Sequence, residues 1–135
     1  MQRLHKLDIS DGKDEAPPVT IEASVNSSAR DAVNGVLHFD PRAGHQRSAL
    51  ALVQGTIVIA WASHEDIQPY HGWIMTYDAL TLKQTGALCT TPDAADGGIW
   101  QSGRGPAINS DGELYFEVGT AAGMAAQTSA PPLLN

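Results

Sequence analysis

Cysteine is nearly missing from this chain. Cys89 stands alone among 135 residues, which excludes an internal disulfide and any cysteine-built zinc site. Positive charge is scarce as well: Lys+Arg number 8 against Asp+Glu 15, a formal net charge of -7. There is no basic run and no Arg/Lys stripe interleaved with aromatics. Nucleic-acid binding is therefore not expected, because phosphate contacts need clustered positive charge. No apolar run reaches the roughly 18 residues that a membrane helix needs. The opening stretch, MQRLHKLDISDGKDE, has no apolar h-region, so it does not read as a signal peptide. No segment combines a helical hydrophobic period with caps. Neither G-x-S-x-G nor G-x-G-x-x-G occurs, so neither a serine-hydrolase elbow nor a dinucleotide loop is indicated.

What remains is a β-rich sequence. Hydrophobic residues make up 42% and charged residues 17%, enough apolar material for a packed core in one domain. TIVIAWA (56–62), GWIMTYDA (72–79) and ELYFEVG (113–119) are rich in β-branched and aromatic residues and are bounded by turn chemistry. In the second, Trp73, Met75 and Tyr77 alternate with Ile74, Thr76 and Asp78. The expected fold class is all-β, built of antiparallel strands.

Two internal similarities point to repetition. ALALVQGTIVIAWAS (49–63) aligns with PAINSDGELYFEVGT (106–120), carrying Gly55 onto Gly112, 57 residues on. LDISDGK (7–13) aligns with YDALTLK (77–83), carrying Asp8 onto Asp78, 70 residues on. A strand-rich unit recurring at such spacing suggests a β-propeller of four-stranded blades. The reading places 1–120 in an incomplete propeller: a half blade over 1–24, an inter-blade loop over 25–47, a full blade over 48–90 and a half blade over 105–119. A propeller needs about four blades to close, so the chain reads as a piece of a larger one. The Ala- and Pro-rich stretch over 121–135 is expected to be disordered.

Strand alternation puts the connections 25–47, 63–72 and 91–104 at one end of the blades and the short turns at the other. Long loops gathered on a rigid scaffold are where binding usually resides. His64, Asp66 and His71, in SHEDIQPYHGW, are nitrogen and oxygen donors of the kind zinc accepts. The plainer reading has the same side chains bonding the loop backbone. Arg42, His45 and Arg47, in HFDPRAGHQR, are candidate ligand contacts for a carboxylate or phosphate, or loop-fixing ion pairs with local carboxylates. Trp100, Gln101 and Arg104, in the glycine-punctuated GGIWQSGRGP, form a candidate cofactor wall, with Trp100 able to stack on a planar group or to pack between blades.

FDPRAGHQRSALAL, WASHEDIQPYHGWIMTYDALTL and GGIWQSGRGPAINSDGELYFEVG together resemble the pyrroloquinoline-quinone-like (quinoprotein-like) β-propeller repeat proteins of bacteria. The resemblance covers about residues 35 to 120. It implies a radial propeller, a periplasmic or extracellular setting, and one of two roles. Some relatives are alcohol or sugar dehydrogenases that use the quinone with calcium. Others keep the repeat without the cofactor and serve as binding or assembly scaffolds. Here the blade-locking motif, Asp then Thr-Gly then Trp, is incomplete: Leu82 stands where YDALTLKQTGAL would carry the Gly, and no Trp follows. The dehydrogenases' adjacent cysteine pair is impossible, and nothing matches their calcium ligands or catalytic Asp. The expectation is a non-catalytic ligand- or protein-binding segment; the alternative is a fragment of a quinone-dependent dehydrogenase. Expected partners are the remaining blades, or a second copy through open strand edges.

Overall fold

The computed structural model describes residues 1–101 and 103–119 and the backbone of 121–122. The chain is all-β, and the described residues contain no helix. Strands are β1 Arg3–Leu4, β2 Val19–Thr20, β3 Ser24–Asn26, β4 Val36–His38, β5 Gly44–His45, β6 Ala51–Val53, β7 Thr56–Ser63, β8 Trp73–Asp78, β9 Gln84–Cys89, β10 Ala95–Asp96, β11 Ala107–Ile108, β12 Leu114–Tyr115 and β13 Ala121–Ala122. All ladders between these strands are antiparallel, and the described sheets form neither a closed barrel nor a closed propeller. Of the 121–135 tail, the remainder lies outside the described residues.

The centre is one sheet in the order β5-β7-β8-β9, with β6 also paired to β7. β5 and β6 take the two ends of β7: His45 faces Ala62 and Ala51 faces Val58. They act as one edge strand interrupted over 46–50. β7 and β8 are buried along nearly their whole length, because both faces are covered. Side chains alternate across a strand, so Ile59, Trp61, Trp73, Met75 and Tyr77 share one face. There they pack with Leu4, Ile21, Leu37 and Phe39 from the N-terminal hairpins. Phe39 sets its ring edgewise against Trp61 and Trp73, at centroid distances of 5.2 and 6.0 Å. The other face carries smaller residues, Val58, Ala60 and Ile74, and packs on Ile99, Ile108, Leu114 and Phe116.

The expected similarity 70 residues apart is a structural one. Asp8 and Asp78 build the same turn. Each accepts side-chain bonds from the residues that follow: Ser10 on Asp8, Leu80 and Thr81 on Asp78. Asp8 N–H donates to Lys13 O (2.8 Å) and Asp78 N–H to Lys83 O (2.9 Å). Gly12 and Leu82 then take the left-handed conformation at φ 71° and 58°. A leucine there is strained, and Leu82 offsets this by burying its side chain in the aromatic core. Even the pairing matches: Leu7 bridges Asp14 as Tyr77 pairs Gln84.

The stretch read as a loop over 25–47 holds more structure than expected, since most of β3 and all of β4 and β5 lie within it. The missed signal is Asn34–Gly35, both at positive φ, a two-residue hairpin turn closed by reciprocal bonds between Val33 and Val36. ELYFEVG is correspondingly over-read, for only Leu114–Tyr115 pair as a strand.

Truncating Trp61, which is wholly buried, is expected to lower the unfolding free energy by about 3–5 kcal/mol. Leu52→Ala, at a residue 68% exposed on the edge strand, should stay within about 0.5 kcal/mol. Urea denaturation of the two variants checks both.

Candidate functional site

The three long connections meet at one end of the central sheet. Ser27 Oγ donates to Pro92 O, and Ser28 gives both its N–H (2.7 Å) and its hydroxyl (2.9 Å) to Asp93 Oδ1. This ties the 25–47 connection to the 91–104 connection. His64 N–H donates to Ala43 O (2.8 Å), tying 63–72 to 25–47. Asp96 N–H donates to Tyr70 O (2.8 Å), and Gln68 Nε2 donates to Asp96 Oδ1 (2.9 Å), tying 63–72 to 91–104. The short turns lie together at the opposite end, where Gly112 approaches the side chain of Gln54.

His71 is the point where all three join. Its side chain is 5% exposed. Nδ1 lies 3.0 Å from Thr91 O and 3.1 Å from Thr91 Oγ1. Nε2 lies 3.2 Å from each carboxylate oxygen of Asp31. The Thr91 hydroxyl donates to Asp96 O (2.9 Å). Beneath this cluster the backbones of Gly72 and Gly97 nearly touch: a Cβ on Gly72 would stand 2.0 Å from Gly97 O. Only glycine permits that approach.

Burial and charge act together here. The Tyr70 phenol is pushed up to about 12, first by burial and then by the Asp96 and Asp66 carboxylates. The Cys89 thiol is pushed up to about 11, chiefly by burial, with bonds from Thr91 opposing and Asp31 and Asp93 adding. Cys89 is therefore a packed residue and a poor nucleophile. Asp93 is held below the usual carboxylate range, mainly by the Ser28 backbone N–H, and Asp40 likewise, mainly by the Arg42 N–H.

The order Asp31, His71, Thr91 superficially matches a nucleophilic relay. The hydroxyl rules that out: Thr91 is 1% exposed, and its hydrogen goes to a carbonyl, leaving no room and no proton path for a substrate. The adjoining pocket, lined by Asp31, His38, Phe39, Asp40, Tyr70, His71 and Trp73 among others, measures about 30 Å³. That accommodates a water or two, far below the roughly 300 Å³ of a small-molecule site.

His64, Asp66 and His71 do not come together as a ligand set. His64 stacks on His45 at 5.3 Å, Asp66 Oδ1 accepts the Ser63 hydroxyl at 3.0 Å, and His71 turns to Asp31 and Thr91. Among the described residues no three His, Cys, Asp or Glu side chains are grouped to hold a metal ion. Arg42 reaches the neighbouring Asp40 (3.4 Å) on the surface. Arg47 lies in the interruption between β5 and β6. Trp100 runs its indole edge along Gly98 and Gly119. Gln101 keeps its Oε1 buried without a hydrogen-bond partner. Exposed Arg104 accepts from Ala49 N–H at 3.1 Å through its carbonyl. Asp31, Thr91 and Gln68 carry the junction and were not singled out by sequence, because their partners are 40, 20 and 28 residues away.

Compared with known proteins, the chain matches no protein-family model, no curated protein and no solved structure.

Two outcomes follow from this geometry. Gly72→Ala must displace the Gly97 carbonyl and is expected to cost more than about 2 kcal/mol. Gly103→Ala, at φ 74° but facing open space, should cost about 1 kcal/mol; denaturant titration separates them. Tyr70 and Cys89 hold their protons more tightly folded than unfolded. Their contribution is thus complete below the unfolded values and lost as pH rises through the folded ones. Thermal melts should therefore fall between about pH 9 and 12, less steeply in Cys89→Ala.

Proposed function

We propose that the chain is a non-catalytic ligand- or protein-binding segment of a β-propeller built from quinoprotein-like repeats. The observation that carries this reading is the meeting of three long connections at one end of a sheet that is covered on both faces. Such an arrangement holds loops on a scaffold too well packed to flex, which suits recognition. The matched turns at Asp8 and Asp78 support repetition: the β1–β2 hairpin stands to its turn as β8–β9 stands to its own. Sheets covering both faces of a four-stranded meander are what stacked blades require. Among the described residues the two flanking layers hold two-stranded sheets, whose edges offer pairing to further blades or to a second copy.

Recognition falls to groups at the loop end, the exposed Arg42 and His64 and the half-buried His45 among them, while His71, Asp96 and Thr91 hold the shape. The dehydrogenase alternative draws no support from the junction pocket, whose size is far below that of a tricyclic quinone.

Titration with pyrroloquinoline quinone and calcium, followed by absorption and by dye reduction with alcohols or aldoses, is expected to give neither a bound spectrum nor turnover. Turnover with a bound spectrum would replace this proposal by the dehydrogenase reading. Light scattering should find a mass above the 14.3 kDa of one chain that rises with concentration. A concentration-independent monomer would count against open edges that seek partners.

A further inference from the structure

We propose that Asn34–Gly35 is a site of spontaneous covalent modification, where the Gly35 nitrogen displaces ammonia from the Asn34 side chain and water opens the resulting ring to an isoaspartyl linkage. The reaction needs a carboxamide free to move, a backbone nitrogen free to attack it, and no side chain in the way. Asn34 and Gly35 are both exposed. Among the described residues the Asn34 side chain makes no hydrogen bond and the Gly35 N–H has no acceptor. Nothing lies within 4 Å of the place a Gly35 Cβ would take, and glycine leaves its own nitrogen open to close approach.

The comparable pairs in the described chain each lack one of these conditions. Asn26 is followed by Ser27, which carries a Cβ and gives its N–H to Gly35 O (2.9 Å). Asn109 donates to Glu113 Oε2 at 2.7 Å and accepts from the N–H groups of Asp111 and Glu113. Asp–Gly pairs close the same ring by losing water, and they too are held. Gly12 N–H donates to Asp8 O (2.7 Å) and Gly112 N–H to Asn109 O (3.2 Å). Asp96, before Gly97, is 5% exposed and accepts from Gln68 Nε2 at 2.9 Å.

The atoms balance without a redox partner. A bond forms from the Gly35 nitrogen to Asn34 Cγ, the Cγ–Nδ2 bond breaks, and Nδ2 leaves as ammonia with the hydrogen that the Gly35 nitrogen gives up. Water then adds to the succinimide. Opening at Cγ yields aspartate, and opening at the main-chain carbonyl yields isoaspartate, whose chain runs through Cβ and Cγ. Isoaspartate thus inserts an extra atom into the backbone of a tight turn. That turn needs both residues at positive φ, here 53° and 76°, and is closed by the Val33–Val36 bonds of 2.9 and 3.1 Å. A lengthened backbone cannot keep this geometry. Gly35 O also accepts from Ser27 N–H, next to the Ser27 and Ser28 bonds to Pro92 and Asp93. The change therefore reaches the tie between the 25–47 and 91–104 connections. None of this rests on the proposed function.

The test is incubation of the whole chain in mildly alkaline buffer, then tryptic mapping by mass spectrometry with isoaspartate methyltransferase labelling. The peptide spanning 31–42 is expected to accumulate aspartyl and isoaspartyl forms while Asn26 and Asn109 keep their amides. In the isolated isoaspartyl chain, amide protection at Ser27, Val33 and Val36 should fall by about tenfold. Asn34→Asp, which adds the same charge on an unaltered backbone, should keep that protection. An Asn34 that stays intact in the folded chain while the urea-unfolded chain converts would overturn the proposal. So would conversion of Asn26 or Asn109 at the same rate, or equal protection in the isoaspartyl chain and Asn34→Asp.

Discussion

Everything in this molecule depends on the two-sided burial of β7 and β8. A sheet with one wet face needs a polar residue at every second position. These strands have almost none, and their alternation is by size instead. Ile59, Trp61, Trp73, Met75 and Tyr77 fill one interface, and Val58, Ala60 and Ile74 the other. The large face needs depth and finds it between the hairpins that carry Leu4, Ile21, Leu37 and Phe39. The small face lets backbone come close: Ile99 N–H donates directly to Trp61 O at 3.1 Å, and Gly98 rests on Ala62. Each fully buried large side chain contributes roughly 1.5–3 kcal/mol, so a handful of residues on two strands supplies most of what holds short peripheral strands in place.

The loop end inherits its order from that core. The 63–72 connection springs from β7 and returns to β8, so its two ends are fixed by the most rigid part of the chain. His71 sits just before β8 and extends that rigidity outward to Asp31 and Thr91. The left-handed Glu65, Asp66 and Asp96 lie in the same two connections. Asp adopts that conformation more readily than most residues because its short side chain bonds locally, and Asp66 does so with Ser63. SHEDIQPYHGW is thus a structural junction whose polar residues hold neighbouring connections together.

The sequence made some of this legible and hid the rest for definite reasons. β-branched and aromatic runs bounded by turn residues exposed β7 and β8, with alternation added in β8, because local pattern and burial agree there. The Asp8 and Asp78 turns were visible because their geometry is made by residues within five positions of each other. The β3–β4 hairpin went unread although Asn34–Gly35 announces it, since no long apolar run flanks it. His71 was noticed as a donor, with a metal ligand and a loop-bonding role both open from the sequence. Its partners are set by tertiary packing across 20 and 40 residues, which no local window contains. Arg42, by contrast, meets Asp40 two residues away, and the ion-pair alternative was open from the sequence.

The account makes one claim above the others: the ladder between β7 and β8 is the stable centre, and the hairpins and loop end depend on it. Native-state hydrogen exchange tests this directly. Amides of Val58 to Trp61 and Trp73 to Tyr77 should exchange last, through global unfolding, while those of the β1–β2 and β11–β12 hairpins exchange earlier through local opening. If either hairpin, or the 27–35 segment, outlasts the β7–β8 ladder, the central sheet is not what holds the molecule together.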